Sequence, residues 1–215
     1  MKTIAVIDYG MGNLRSVAKA VEHVAPAGTR VRVTDRRDEI LEADRIVFPG
    51  QGAARDCMRA LRAHGLVDVV REAVRNRPFL GICMGMQVLL DYSEENDGTE
   101  CLGVFRGRVR FFGTDLHDAD GRRLKIPHMG WNNIHQRQPH PLWDGIEQDS
   151  RFYFVHSYYS DPAEDDLPAG ETEYGIRFTS AIARGNVFAI QAHPEKSAEA
   201  GLRLLRNFTR WNGME

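Results

Sequence analysis

Cys83 stands in Arg77-Pro78-Phe79-Leu80-Gly81-Ile82-Cys83-Met84-Gly85-Met86-Gln87, where an apolar run ends in Gly-x-Cys-x-Gly and a helical pattern follows. The thiolate is the nucleophilic form of cysteine, and a sharp strand-to-helix turn is one way to expose it. Such a turn projects its central side chain above a parallel sheet, and glycine two residues to either side lets neighbouring backbone pass close by. The N-terminal end of the following helix favours negative charge on the sulfur. A nucleophile of this kind needs a base to take up and return a proton, and a carboxylate to fix the base's tautomer. The one His-x-Glu in the chain, His193-Pro194-Glu195, directly follows the apolar run 187–191. The carboxyl end of such a strand is where an open parallel sheet places its site. Alone, His-Pro-Glu is an ordinary loop; beside a cysteine elbow it supplies base and orienting carboxylate.

Negative charge developing on a substrate oxygen needs backbone N–H donors. Met84, immediately after the nucleophile, is one candidate. The second comes from Phe48-Pro49-Gly50-Gln51-Gly52-Ala53, which leaves a strand and enters a helix with glycines around Gln51. Glycine on both sides lowers the cost of rotating the peptide groups of Gly50, Gln51 and Gly52 toward a site or away from it.

The elements that hold these residues follow from periodicity. Strands are expected at 2–8, 30–34, 45–48 and 78–82, alternating with helices at 14–24, 53–63 and 66–76, the last two separated by Gly65. Asn13 and Ser197 are candidate helix caps. Strand–helix alternation indicates a parallel sheet covered on both faces. After about residue 92 the pattern changes to strands at 103–112, 122–126, 130–135, 152–155, 174–178, 181–184 and 187–191, with a turn at Asp118-Ala119-Asp120-Gly121. A closing helix spans 197–211, with Leu202, Leu205, Phe208 and Trp211 along one side. The fold class is therefore α/β: an open, mostly parallel sheet flanked by helices, with antiparallel strands added in the C-terminal half.

With 215 residues, 42% hydrophobic, the chain suffices for one large domain with a substantial core. A formal net charge of −2 argues against general nucleic-acid binding. The N-terminal apolar run is too short for a signal peptide, and no run approaches the roughly 18 apolar residues of a membrane span. Three separated cysteines, Cys57, Cys83 and Cys101, suit a reducing cytoplasm better than a disulfide framework. Cys57 and Cys101 are expected in the packing. His128, His135, His140 and His156 share no metal-ligand spacing, and no metal or cofactor is expected. The Asp115–Gly121 segment lacks the closing glutamate of a calcium loop, and Gly10-Met11-Gly12 lacks the third glycine of a dinucleotide loop.

Taken together, the Pro-Gly-x-Gly loop, the Gly-x-Cys-x-Gly elbow followed by Gln87, and the late His-Pro-Glu resemble the class I (triad) glutamine amidotransferases along the whole chain, 1–215, as a single domain. Three further segments, Asp8-Tyr9-Gly10-Met11-Gly12-Asn13, Ile126-Pro127-His128-Met129-Gly130-Trp131-Asn132 and Phe152-Tyr153-Phe154-Val155-His156-Ser157-Tyr158, resemble one branch of that family, the glutaminase subunits of imidazole glycerol phosphate synthases in histidine biosynthesis. The resemblance implies a Cys83–His193–Glu195 triad that hydrolyses glutamine to glutamate through a cysteinyl thioester. It implies an oxyanion hole from Met84 and the Gly50–Gly52 loop, and a glutamine pocket lined by Gly52, Gln87, Ser157 and Tyr158. It also implies a heterodimer in which ammonia passes to a (β/α)8-barrel cyclase subunit; that subunit forms imidazole glycerol phosphate and aminoimidazole carboxamide ribotide. Gly10, Asn13, Met129 and Trp131 would face it. The alternatives are a glutaminase serving another synthase, a γ-glutamyl hydrolase, or a non-catalytic regulatory module on the same fold.

Overall fold

The computed structural model of the chain describes residues 1–214. Its strands are β1 (Thr3–Ile7), β2 (Arg30–Thr34), β3 (Arg45–Gly50), β4 (Phe79–Cys83), β5 (Tyr92–Ser93), β6 (Thr99–Glu100), β7 (Gly107–Phe111), β8 (His128–Asn133), β9 (His135–Gln136), β10 (Arg151–His156), β11 (Tyr158–Pro162), β12 (Pro168–Tyr174), β13 (Ile176–Arg184) and β14 (Val187–Ile190). Its α-helices are α1 (Leu14–Val24), α2 (Arg37–Glu42), α3 (Ala54–Ala63), α4 (Val67–Asn76), α5 (Met84–Gln87) and α6 (Ala198–Arg210). The main sheet runs β2-β1-β3-β4-β14-β13-β11-β7-β5-β6, with β12 paired to β13 off this path and β9 paired to β12. From β2 to β14 every pairing is parallel, and β14–β13 begins the antiparallel extension. β8 and β10 form a separate antiparallel pair.

Strand periodicity sorts the core. Ala5, Ile7, Ile46, Phe48, Phe79 and Ala189 face the side covered by α2 to α5. Ile4, Val6, Val47, Leu80, Ile82, Phe188 and Ile190 face the side covered by α1, α6 and the β8–β10 pair. Both faces are apolar because both are buried, so these strands read as continuous Val/Ile/Phe runs. Burying each such side chain stabilises by about 1.5–3 kcal/mol. Gly65 ends α3 as expected: at φ +65° it allows Leu66 N–H to reach Leu61 O at 2.8 Å and Gly65 N–H to reach Arg62 O at 3.1 Å.

The fold class expected from the sequence is the observed one, with local corrections. The helix after Cys83 is only four residues long, so it brings less dipole to the sulfur than a full helix would. The stretch 122–126 forms no strand; Arg123 makes only an isolated bridge to His117. Strand 103–112 shrinks to β7; the expected strand 174–178 straddles the β12–β13 turn, and its residues 176–178 join 181–184 in the nine-residue β13. The short β5, β6 and β9 and the longer β11 and β12, along with α2, carry too little periodicity to be anticipated. Neither Asn13 nor Ser197 caps its helix through its side chain. Leu202 lies half-buried, and Gly201, Leu204, Leu205 and Phe208 carry the buried face of α6.

Candidate active site

β4 carries the nucleophile candidate to the carboxyl edge of the sheet. Cys83 has φ +55° and ψ −112°, a conformation that costs a side-chain-bearing residue roughly 1–3 kcal/mol and is held only where its surroundings enforce it. The flanking glycines show how. A Cβ on Gly85 would lie 1.9 Å from Phe48 O, and one on Gly81 would lie 2.8 Å from both Ala189 Cβ and Gly85 O. The elbow therefore wedges its backbone between β3 and β14, where no side chain fits.

β14 delivers the base from the adjacent strand. Ala189 and Ile190 pair with Gly81 and Ile82, so His193 emerges beside Cys83. Two clamps fix its loop: His193 N–H donates to Tyr153 O at 2.9 Å, and the Ser197 hydroxyl donates to His193 O at 2.6 Å while accepting Tyr153 N–H at 2.9 Å. His193 Nδ1 lies 2.9 Å from Glu195 Oε1, and both side chains are at most 3% exposed. This contact makes Nδ1 the protonated nitrogen and turns Nε2 toward the sulfur. Burial opposes an imidazolium here, but the Cys83 sulfur and the Glu195 carboxylate outweigh it and raise the His193 pKa to about 10. A base held charged between a carboxylate and a sulfur suits proton transfer to a departing amine.

A cavity of about 480 Å³ opens above Cys83, lined in part by Gln51, Gly52, Met84, Gln87, Ser157, Tyr158 and His193. All the residues expected in the triad, oxyanion hole and glutamine pocket line this cavity except two. Glu195 sits behind His193, as its orienting role requires, and Gly50 lies behind the wall, where an added Cβ would come within 2.6 Å of Tyr9 Oη and 2.8 Å of Met84 Cβ. The Tyr9 hydroxyl donates to Pro49 O at 2.9 Å, anchoring the base of the Gly50–Gly52 loop. Gly52, at φ +83°, forms its freer end. Three buried polar atoms around this cavity lack a partner among the described residues: Gln87 Oε1, His193 Nε2 and Glu195 Oε2. Such atoms cost about 1–3 kcal/mol each when left unpaired, and their clustering marks a place built for a ligand or a reaction.

Met129 and Trp131 are exposed, at 62% and 44%, on β8, whose partner strand β10 leads to the cavity wall. Gly10 and Asn13 flank Met11 and Gly12, which pack against Gly52 and Gly50 respectively. Cys57 and Cys101 are buried in the packing, and burial raises both thiols to about 12.

Several participants escape sequence reasoning. Glu95 lines the cavity, with Oε2 accepting Ala54 N–H at 2.7 Å. Lys196 lines it too. His128 and His156 form a buried pair, Nδ1 to Nε2 at 2.8 Å, and His156 Nδ1 lies 2.8 Å from Tyr158 O. A carbonyl only accepts, so His156 Nδ1 carries the proton and His128 Nδ1 donates to His156 Nε2. Burial lowers the pKa of His128 to about 4 and of His156 to about 3, so both are neutral at physiological pH. Gln191, fully buried, directs Nε2 to Cys83 Sγ at 3.6 Å. A polar residue at the end of an apolar strand carries no signal of such a contact.

Residues 5–211 match the family "Glutamine amidotransferase class-I". Imidazole glycerol phosphate synthase subunit HisH of Thiobacillus denitrificans is 61% identical over 97% of this chain and 91% of its own length. The proteins of the same name from Hydrogenovibrio crunogenus and Pseudomonas syringae are each 57% identical, covering 99% of this chain and 98% and 99% of their own lengths. Among solved structures, a glutamine amidotransferase superposes with TM-score 0.71 at 18% identity over 98% of this chain and 99% of that one. The glutaminase domain of Trypanosoma brucei CTPS with bound acivicin gives 0.65 at 17% identity over 100% and 98%; likenesses this distant speak to fold alone. On the sequence match across nearly its whole length, this chain belongs to the class-I glutamine amidotransferases.

Proposed function

We propose that this chain is the glutaminase subunit of an imidazole glycerol phosphate synthase, a single amidotransferase domain acting in the cytoplasm on glutamine. The observation that carries the chemistry is the meeting, on adjacent strand ends, of a strained cysteine and a buried His–Glu pair under a cavity of amino-acid size. Cys83 Sγ attacks the side-chain amide carbon of glutamine. The oxygen takes negative charge and receives N–H groups from Met84 and from the Gln51–Gly52 end of the loop. His193 passes its proton to the departing nitrogen, ammonia leaves, and a thioester remains. Water, deprotonated by His193, then attacks that carbon; the sulfur departs and glutamate is released. Glu195 holds the His193 tautomer through both steps. Gln87 Oε1 accepts from the substrate, Ser157, Tyr158 and Gly52 shape its pocket, and the carboxylate of Glu95 suits its ammonium group.

The ammonia serves a cyclase subunit, a (β/α)8 barrel bound as a heterodimer over the cavity mouth. Gly10, Asn13, Met129 and Trp131 are assigned to that contact. The relatives' name supports this partner, and exposed Met129 and Trp131 supply the apolar surface it needs. The test is glutamate release by the chain alone and with the cyclase subunit, alongside ammonia-dependent synthesis. Absence of glutamate release in both settings would overturn the reading.

A further inference from the structure

Three side-chain amide contacts lead to the sulfur. Gln87 Nε2 lies 3.0 Å from Tyr158 O and 2.9 Å from Gln191 Oε1, and Gln191 Nε2 lies 3.6 Å from Cys83 Sγ. Their polarity is fixed by chemistry. Tyr158 O is a carbonyl and only accepts, so the end of Gln87 facing it is the NH2. That NH2 also meets Gln191, so the facing Gln191 atom is its oxygen, and the Gln191 NH2 is left for the sulfur. The backbone of Gln191 is tied down as well, its N–H donating to Ser180 O at 2.8 Å. Gln191 and Gln87 are both buried, and Gln191 takes no part in the cavity wall.

We propose that Gln191, oriented by Gln87, is an N–H donor to the Cys83 sulfur that holds it in its reactive position and stabilises it as an anion. The inference rests on Cys83 being the nucleophile. A donor on one side of the sulfur leaves its other side to the proton that His193 holds. The same N–H faces the sulfur when it departs from the thioester. With an α5 of only four residues, the amide supplies local polarity that a long helix would otherwise bring.

The test reads the sulfur directly. Iodoacetamide alkylation of Cys83 in the full chain is followed by peptide mass spectrometry from pH 5 to 10. Gln191→Met keeps the shape and removes the donor. The expected result is an upward shift of the alkylation midpoint by about half to one pH unit, a factor of about 3–10, the size of one ordinary hydrogen bond. In the complex with the cyclase subunit, kcat for glutamine hydrolysis falls by a similar factor, with KM changed less than about threefold because Gln191 does not line the cavity and Gln87, which does, keeps its bond to Tyr158 O. Gln191→Asn, which withdraws the amide by one methylene, gives the same shift if Gln191→Met does not fold. An unaltered alkylation profile in either folded variant overturns the proposal. Cys83→Ala separates this from the functional reading: glutaminase activity surviving that change defeats the reading, whereas the alkylation profile speaks only to Gln191.

Discussion

Glu195→Gln isolates the role of one charge. The carboxylate meets His193 Nδ1 at 2.9 Å in a setting where both side chains are almost wholly buried. An amide has the same outline, and its oxygen can still accept from Nδ1. The lost quantity is the difference between a hydrogen bond to a charged group, about 1.5–3 kcal/mol, and one between neutral groups, about 0.5–1.5 kcal/mol. Glu195 Oε2 has no partner among the described residues, so nothing prevents the amide from turning its NH2 to the ring, which favours the wrong tautomer in part of the molecules. The two effects together lower kcat by about 10–100-fold in the glutamine-dependent assay with the cyclase subunit. His193→Asn removes the base itself and costs on the order of 10⁴-fold or more. The substitution also lowers the His193 pKa, since Glu195 raises it through both its hydrogen bond and its charge. The sign follows for stability. A folded-state pKa above 6.5 contributes stability that is full below pH 6.5 and lost as pH rises through about 10, and in the variant the contribution is smaller and its loss is complete at a lower pH. Titration of the imidazole by NMR and steady-state kinetics measure both. A larger loss in Glu195→Gln than in His193→Asn would refute the roles given to the two residues.

Cys83→Ala abolishes glutamine-dependent synthesis and leaves ammonia-dependent synthesis intact; Cys57→Ala and Cys101→Ala keep turnover within about threefold, and loss of chemistry in a folded Cys57 variant would contradict a packing role. Gly50→Ala, which sets a Cβ against Tyr9 and Met84, lowers Tm and both basal and activated turnover, and a wild-type Tm would show that the tight contact is not enforced. Gly52→Ala meets only the end of Met11 but is strained at φ +83° by about 1–2 kcal/mol. With the loop treated as a switch, idle in the observed conformation and turned by the liganded cyclase subunit so that an N–H faces the site, this strain raises basal turnover of the isolated chain about 5–30-fold, against a gain of at least about tenfold on adding that subunit to the wild type; unchanged basal turnover would refute the switch. Because burial depresses the pKa of His128 and His156, stability is full above pH 6.5 and falls as pH drops toward about 4 and 3, by up to about 1.4 kcal/mol per pH unit for each histidine. A Tm flat from pH 6.5 to 4 would show that the pair protonates without cost.

The chemistry was more legible than the scaffold around it. Gly81, Cys83 and Gly85 announce a close-packed elbow because only glycine tolerates such approach, and His193 follows an apolar run that can only be a buried strand. The pairing of β14 with β4, which brings His193 to Cys83, is a matter of topology and leaves no local trace. β11 and β12 are hidden by Pro162, Pro168 and the polar Glu171-Thr172-Glu173, residues that suit the margins of a sheet more than its centre. The stretch 122–126 has the alternation of a strand, with half-buried Leu124 and Ile126, but finds no neighbour to extend its single bridge. Gln191 and the His128–His156 pair were illegible for the same reason: a hydrogen bond between distant side chains has no period.

The order of the strands also sets a timetable. β4 and its elbow lie beside β3, and β3 beside β1, all made early in synthesis, whereas the elbow's other neighbour, β14, is made late. The base, the orienting carboxylate and Gln191 arrive with β14 and the turn before α6, and Gln191 lies 108 residues from Cys83. At about 5–20 residues per second, a ribosome takes about 5–20 s to cover that interval. Throughout it the nascent chain holds a cysteine with no base, so it cannot consume glutamine before the face that α6 covers is closed. Activity in this architecture is a property of the finished fold, and no N-terminal fragment ending before β14 should release ammonia.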